Sequence, residues 1–232
     1  MSDPSTTGPA EHTEATRPLA PARPQTPAEA WQALKAGNRR FVEGTVAHPN
    51  QDAARRADLT EGQRPFATFF GCSDSRVAAE VIFDQGLGDL FVVRTAGHVV
   101  GPTELGSLEF GAEVLDIPLI VVLGHDNCGA VSATIQAFEG GSMPGGFLRD
   151  LVERVIPSVI KAGRDGIPMS NVHDVMTEHV KQTVHLILER SSGCADRVAD
   201  GRLAIVGLTY TLTDGSAELV EVAGDIGELP AS

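Results

Sequence analysis

The stretch "FFGCSDSRVAAE" (69–80) sets a thiol, a carboxylate and a guanidinium, those of Cys72, Asp74 and Arg76, directly after a short apolar run. A second stretch, "IPLIVVLGHDNCGA" (117–130), ends its apolar run in the same way with His125 and Cys128. Continuous β-branched and aromatic runs without polar alternation suit strands covered on both faces, as in a parallel sheet. A third run, "LFVVRTAG" (90–97), lies between them, with helix-like segments at "VAAEVIFDQG" and "PTELGSLEFGAEVLD". The order strand, helix, strand, helix, strand predicts right-handed βαβ units. The predicted fold class is therefore α/β, a mainly parallel β-sheet flanked by helices.

Further out, "TPAEAWQALKAGNRRFVEG" begins with Thr26 as N-cap, Pro27 at the first helical position and Glu29 three residues on, which predicts an N-terminal helical arm. Trp31, Leu34 and Phe41 can share its apolar face. Residues 1–25 are rich in Pro, Thr, Ala and Glu and read as a disordered tail, leaving 26–232 as one α/β domain. Beyond the loop "EGGSMPGG" come helical patterns in "FLRDLVERVIPSVIKAG" and "NVHDVMTEHVKQTVHLILERSS". The chain closes with "RLAIVGLTYTL" and "AELVEVAG", two strands joined by a tight turn.

Composition limits the function. The formal charge of −13 opposes binding to phosphate backbones and anionic lipid, so neither nucleic acid nor membrane is expected as a partner. No apolar stretch approaches the ~18 residues of a membrane span. The N-terminus has no basic start followed by an apolar core, so a cytoplasmic location is expected. Three cysteines do not suggest a disulfide scaffold.

Ligands of open parallel sheets bind outside the carboxyl ends of the strands. Cys72 and the His125–Cys128 pair would thus meet on one edge, although more than fifty residues separate them. Taken singly, a buried cysteine is a small apolar residue and a His-x-x-Cys is weak evidence. Jointly, two thiols and an imidazole make a catalytic-type zinc set with one open position. Asp74 and Arg76 read either as a surface ion pair or as a device at the metal. In the second case Asp74 accepts a hydrogen bond from a hydroxide and Arg76 keeps the carboxylate ionised and aimed. Freed from Arg76, Asp74 would serve as a fourth ligand and close the site. Cys194 reads as a spectator thiol in a polar connection. His173, His179 and His185 read as surface or packing residues, and His98 as structural rather than as a proton relay.

"CSDSR" followed by "GHDNCGA" resembles the β-class carbonic anhydrases, most closely actinobacterial members. Blocks such as "ALKAGNRRF", "GDLFVVRTAGHVV" and "GSLEFGAEVL" extend the resemblance over residues 27 to 225. It implies one Zn²⁺ per subunit on Cys72, His125 and Cys128, with Asp74 as fourth ligand in an inactive form. It further implies reversible hydration of CO₂ to bicarbonate by a zinc-bound hydroxide that the Asp74–Arg76 dyad orients. Gln63, Gly129 and Phe91 would then contact substrate, and the assembly would be a homodimer or homotetramer with sites near the dimer interface. Thr95 and His98 stand where many members carry asparagine, and Phe110 where tyrosine is common. Arg94 and Tyr210 match two residues of a subgroup's allosteric bicarbonate site, with Phe69 in place of its tryptophan. A carbon disulfide or carbonyl sulfide hydrolase on the same scaffold, and a zinc-binding redox sensor, are the alternative readings.

Overall fold

The structure, a computed structural model, describes residues 23–227. The expected tail lies almost wholly outside the described residues. Arg23 and Gln25 are ordered ahead of the predicted start, with the Arg23 guanidinium donating to the carbonyls of Arg64 and Pro65.

Five strands form one sheet in the order β2-β1-β3-β4-β5. They are β1 (Ala67–Cys72), β2 (Leu90–Thr95), β3 (Leu119–His125), β4 (Ala204–Tyr210) and β5 (Ala217–Ala223). The first four run parallel and β5 pairs antiparallel with β4. Strands β1, β3 and β4 are buried at every position, which is why they read as unbroken apolar runs. Successive side chains alternate faces. Phe69, Val121 and Leu123 enter one core, whereas Phe70, Ile120 and Val122 enter the other.

One face is covered by α1 (Pro27–Val42), which starts in the expected capping box of Thr26 and Glu29. Trp31 and Leu34 are buried there and Phe41 packs at the margin. The outer helix α2 (Ala53–Asp58) buries nothing. The predicted helix at 77–86 is only α3 (Ala79–Ile82), because Asp84 turns into the left-handed region at φ 44°. There its carboxylate receives the amides of Ala47 and His48 and anchors the preceding loop. The opposite face is covered by α5 (Gly129–Gly140), α6 (Leu148–Arg164) and α7 (Val172–Arg190), which α4 (Pro102–Glu109) precedes and α8 (Ser192–Ala199) follows. The segment after α4 widens into a π-type turn over Phe110–Val114 instead of continuing as one helix. Cys194 corrects its expected setting. It lies in α8, fully buried, because the short helix turns that position onto the core.

Helix α1 approaches α3 closely at Gly37, where an added Cβ would stand 1.8 Å from the Phe83 carbonyl oxygen. Alanine would gain about 1 kcal/mol of helix propensity, but overpacking against backbone costs about 1–3 kcal/mol or more. The steric term wins. Gly37→Ala is expected to lower unfolding stability by about 2 kcal/mol in a denaturant titration.

Candidate metal centre

Cys72 ends β1 and His125 ends β3, and those two strands are paired neighbours in parallel register. After His125 the chain turns through Asn127 at φ 53°, and Cys128 caps α5. The three donor atoms of Cys72, His125 and Cys128 lie within 4.8 Å of one another and all three residues are buried. The sulfurs are 4.0 Å apart. Two Zn–S bonds of about 2.3 Å at a tetrahedral angle need a separation of about 3.8 Å, so the spacing fits. The imidazole fits as well. Nδ1 faces the Asp126 carbonyl at 2.7 Å and must donate, which leaves the lone pair on Nε2, a buried atom with no hydrogen-bond partner among the described residues.

The electrostatics agree. A shared hydrogen bond from Cys128, helped by His125 and the Gly97 amide, draws the Cys72 thiol down. That same shared bond, followed by burial, pushes Cys128 up. Burial opposes charge on His125, yet the neighbouring Cys72 sulfur carries its pKa upward. A cation is the one partner that lets both sulfurs ionise together.

Asp74 stands beside this group. The Arg76 guanidinium holds both of its carboxylate oxygens, at 2.9 and 2.7 Å, and the Arg76 amide adds a third bond at 2.9 Å. These bonds keep the carboxyl well below the usual carboxylate range. Its Oδ2 lies 3.9 Å from His125 Nε2, so a group held at the metal would be within its reach. In this arrangement Asp74 is committed to Arg76. Gly129, first residue of α5, is exposed beside Cys128.

Gln63 and Phe91 lie elsewhere. Gln63 precedes β1, and Phe91 is the second residue of β2 and pairs with Thr68, whereas Cys72 pairs with Thr95. A six-residue strand spans about 17–20 Å, so Gln63 sits at the far end of the sheet from the cluster of its own chain. Phe91 packs against Phe110, with ring centroids 6.0 Å apart.

Two contributions at the cluster were not read from the sequence, where Arg94 was noted only for a subgroup's allosteric site. Arg94 donates to the carbonyls of Cys72 and Asp74, at 2.9 and 2.6 Å, and clamps the backbone between ligand and carboxylate. Gly97 donates its amide to Cys72 Sγ at 3.3 Å. An arginine inside an otherwise apolar strand was the available signal for the first; the second had none. Of the two settings expected for His179, surface or packing, the structure shows packing. The residue is buried and stacked on the fully buried His98 at 4.3 Å. Burial and the neighbouring imidazoles of His179 and His125 lower the His98 pKa and hold it neutral.

An α/β sheet carrying an open Cys/His/Cys set at its carboxyl edge, with a charge-held carboxylate alongside, defines a class: metal enzymes that bind substrate at a free coordination position. The family model described as carbonic anhydrase matches residues 67–217. Carbonic anhydrase 2 of Mycobacterium tuberculosis is 56% identical over 202 residues, covering 87% of this chain and 97% of that protein. A carbonic anhydrase of Mycolicibacterium smegmatis is 55% identical over 88% of this chain and 98% of its own length. Among solved structures, the β-carbonic anhydrase of Coccomyxa in complex with acetazolamide aligns with a TM-score of 0.66 at 25% identity, over 82% of this chain and 86% of that one. The chain belongs to the carbonic anhydrase family, in its β class, as the sequence motifs implied.

Burial lowers the His179 pKa to about 4. The unfolded chain takes up that proton near pH 6.5, so stability present at neutral pH is lost as pH falls from about 6.5 to 4, by up to roughly 3 kcal/mol. His98 acts in the same direction. Denaturant midpoints of the metal-free protein are expected to fall across this window, and His179→Gln to flatten the fall.

Proposed function

We propose that this carbonic anhydrase interconverts CO₂ and bicarbonate with one zinc ion per subunit, held by Cys72, His125 and Cys128. The observation carrying this is the buried convergence of two sulfurs and an unpartnered imidazole nitrogen, with the Asp74–Arg76 pair alongside. When bound, zinc supplies Lewis acidity that makes hydroxide available near neutral pH. The chain's own residues do the rest. Asp74, held ionised, accepts a hydrogen bond and turns the attacking oxygen's lone pair toward CO₂. Arg76 fixes that carboxylate in two bonds, so it does not swing in as a competing ligand. The Gly129 amide, at the helix start, offers a donor to the developing negative charge.

Gln63 and Phe91 enter from a second copy. Neither reaches the cluster of its own chain, and both belong to the opposite end of the sheet, near the open edge strand β2 with its exposed Val92. A two-fold pairing would carry Gln63 of one copy, with the Phe91–Phe110 wall, to the cluster of the other. Gln63 would donate to bicarbonate and the rings would exclude water from the CO₂ pocket. The working unit is therefore a homodimer or an assembly of dimers. Three cysteines that are all free support a reducing, cytoplasmic setting. Among the described residues, no helix is long and apolar enough to cross a membrane.

Arg76→Ala is expected to slow CO₂ hydration about 10–100-fold while zinc content stays unchanged, read by stopped-flow kinetics beside metal analysis. Full activity in that variant would remove the dyad from the mechanism. Gln63→Ala is expected to be impaired as well. Mixing it with Arg76→Ala under subunit exchange should restore about a quarter of the sites, since each mixed dimer rebuilds one intact site. No recovery would mean that each chain works alone.

A further inference from the structure

Beside the Cys72–His125–Cys128 cluster, Gly97 joins two buried elements. Its amide donates to Cys72 Sγ at 3.3 Å, and its carbonyl lies 2.9 Å from His179 Nε2. The other ring nitrogen of His179 lies 2.8 Å from Ser158 Oγ. Ser158 on α6 and His179 on α7 are both buried.

Elementary chemistry sets the protons. A carbonyl oxygen only accepts, so Nε2 carries the hydrogen, and Nδ1 of the neutral ring then accepts from the Ser158 hydroxyl. The run is directional: Ser158 to His179 to Gly97, whose amide in turn points at the sulfur. Gly97 adopts φ 67°, ψ 21°, and an added Cβ would stand 2.7 Å from Ala130 Cβ, two residues beyond Cys128. A glycine in that region has many alternatives, so its orientation depends on what grips it. His98 packs against the same imidazole, with ring centroids 4.3 Å apart and the planes tilted by 34°.

We propose that Ser158 and His179 form a positioning relay for the metal centre, holding Gly97 so that its amide steadies the Cys72 sulfur in metal-binding geometry. The relay touches neither substrate nor metal. It acts from two helices that carry no ligand, which links the packing of α6 and α7 to metal affinity. It rests on the reading of Cys72, His125 and Cys128 as zinc ligands.

The test measures zinc affinity by chelator competition, together with the sulfur-to-metal charge-transfer band of the cobalt-substituted protein. The unaltered chain and Cys72→Ser come first. If the unaltered chain holds no zinc, or Cys72→Ser holds it equally well, the ligand reading fails and the relay fails with it. With that reading secure, His179→Leu is expected to weaken zinc about 10–100-fold and to shift the cobalt band. His179→Gln, which keeps a donor toward the Gly97 carbonyl, should recover most of the affinity. Thr183→Val removes a buried hydroxyl bond to the His179 carbonyl on the same helix without touching Gly97, and should leave zinc affinity unchanged. If His179→Leu does not fold, Ser158→Ala carries the same expectation with a loss of about tenfold. Zinc affinity and cobalt band both unchanged in the folded relay variants, or an equal loss in Thr183→Val, would overturn the proposal.

Discussion

Two sulfurs 4.0 Å apart beneath the surface make a charge problem that organises everything around them. Ionised together without a cation, they would repel by roughly 4 kcal/mol at an effective dielectric constant of 20. The surroundings are arranged for a positive ion. His125 turns a lone pair inward, the Gly97 amide faces one sulfur, and the nearest carboxylate is already satisfied by Arg76. Under the zinc reading, that last detail would keep the fourth position free. A loose aspartate beside such a centre would be a fourth ligand, whereas one gripped at both oxygens accepts hydrogen bonds instead.

What could be read from the sequence follows from local rules. Unbroken apolar strands ending in chemistry-bearing residues identified the sheet and its working edge, and strand pairing brings Cys72 and His125 together as expected. The capping box at Thr26 was equally visible, since it needs only neighbours in the chain. What escaped depends on distant partners. The helix after Val77 stops early because the Asp84 carboxylate collects amides from residues 47 and 48. The helix spacing left His179 as a surface or a packing residue, and the partners Ser158, Gly97 and His98 that decide for packing lie on other elements. Spacing along one helix carries no information about which neighbour covers a face.

The motif residues also divide in a way that sequence order conceals. Gln63 is only nine positions before Cys72, which suggests proximity, but a strand lies between and carries the two to opposite ends of the sheet. Under the dimeric reading this separation becomes the design. One end of each sheet supplies the ion's ligands and the other supplies the wall that faces its partner's ion. Strand β2 is left as the open parallel edge, while β5 closes the other side in antiparallel pairing.

The two cysteines are 56 positions apart, and an ion held between them is a knot tied across a quarter of the chain. Joining such distant points in a disordered polymer costs about 4 kcal/mol of conformational freedom, by the relation used for covalent cross-links. Once β1 and β3 lie side by side, that cost is already met. Assembly therefore has a direction. Under the zinc reading, the ion would arrive at a socket the paired strands have already built and would hold shut a loop of 56 positions, whereas the longer run from His125 to Ala204 is closed by β3–β4 pairing alone.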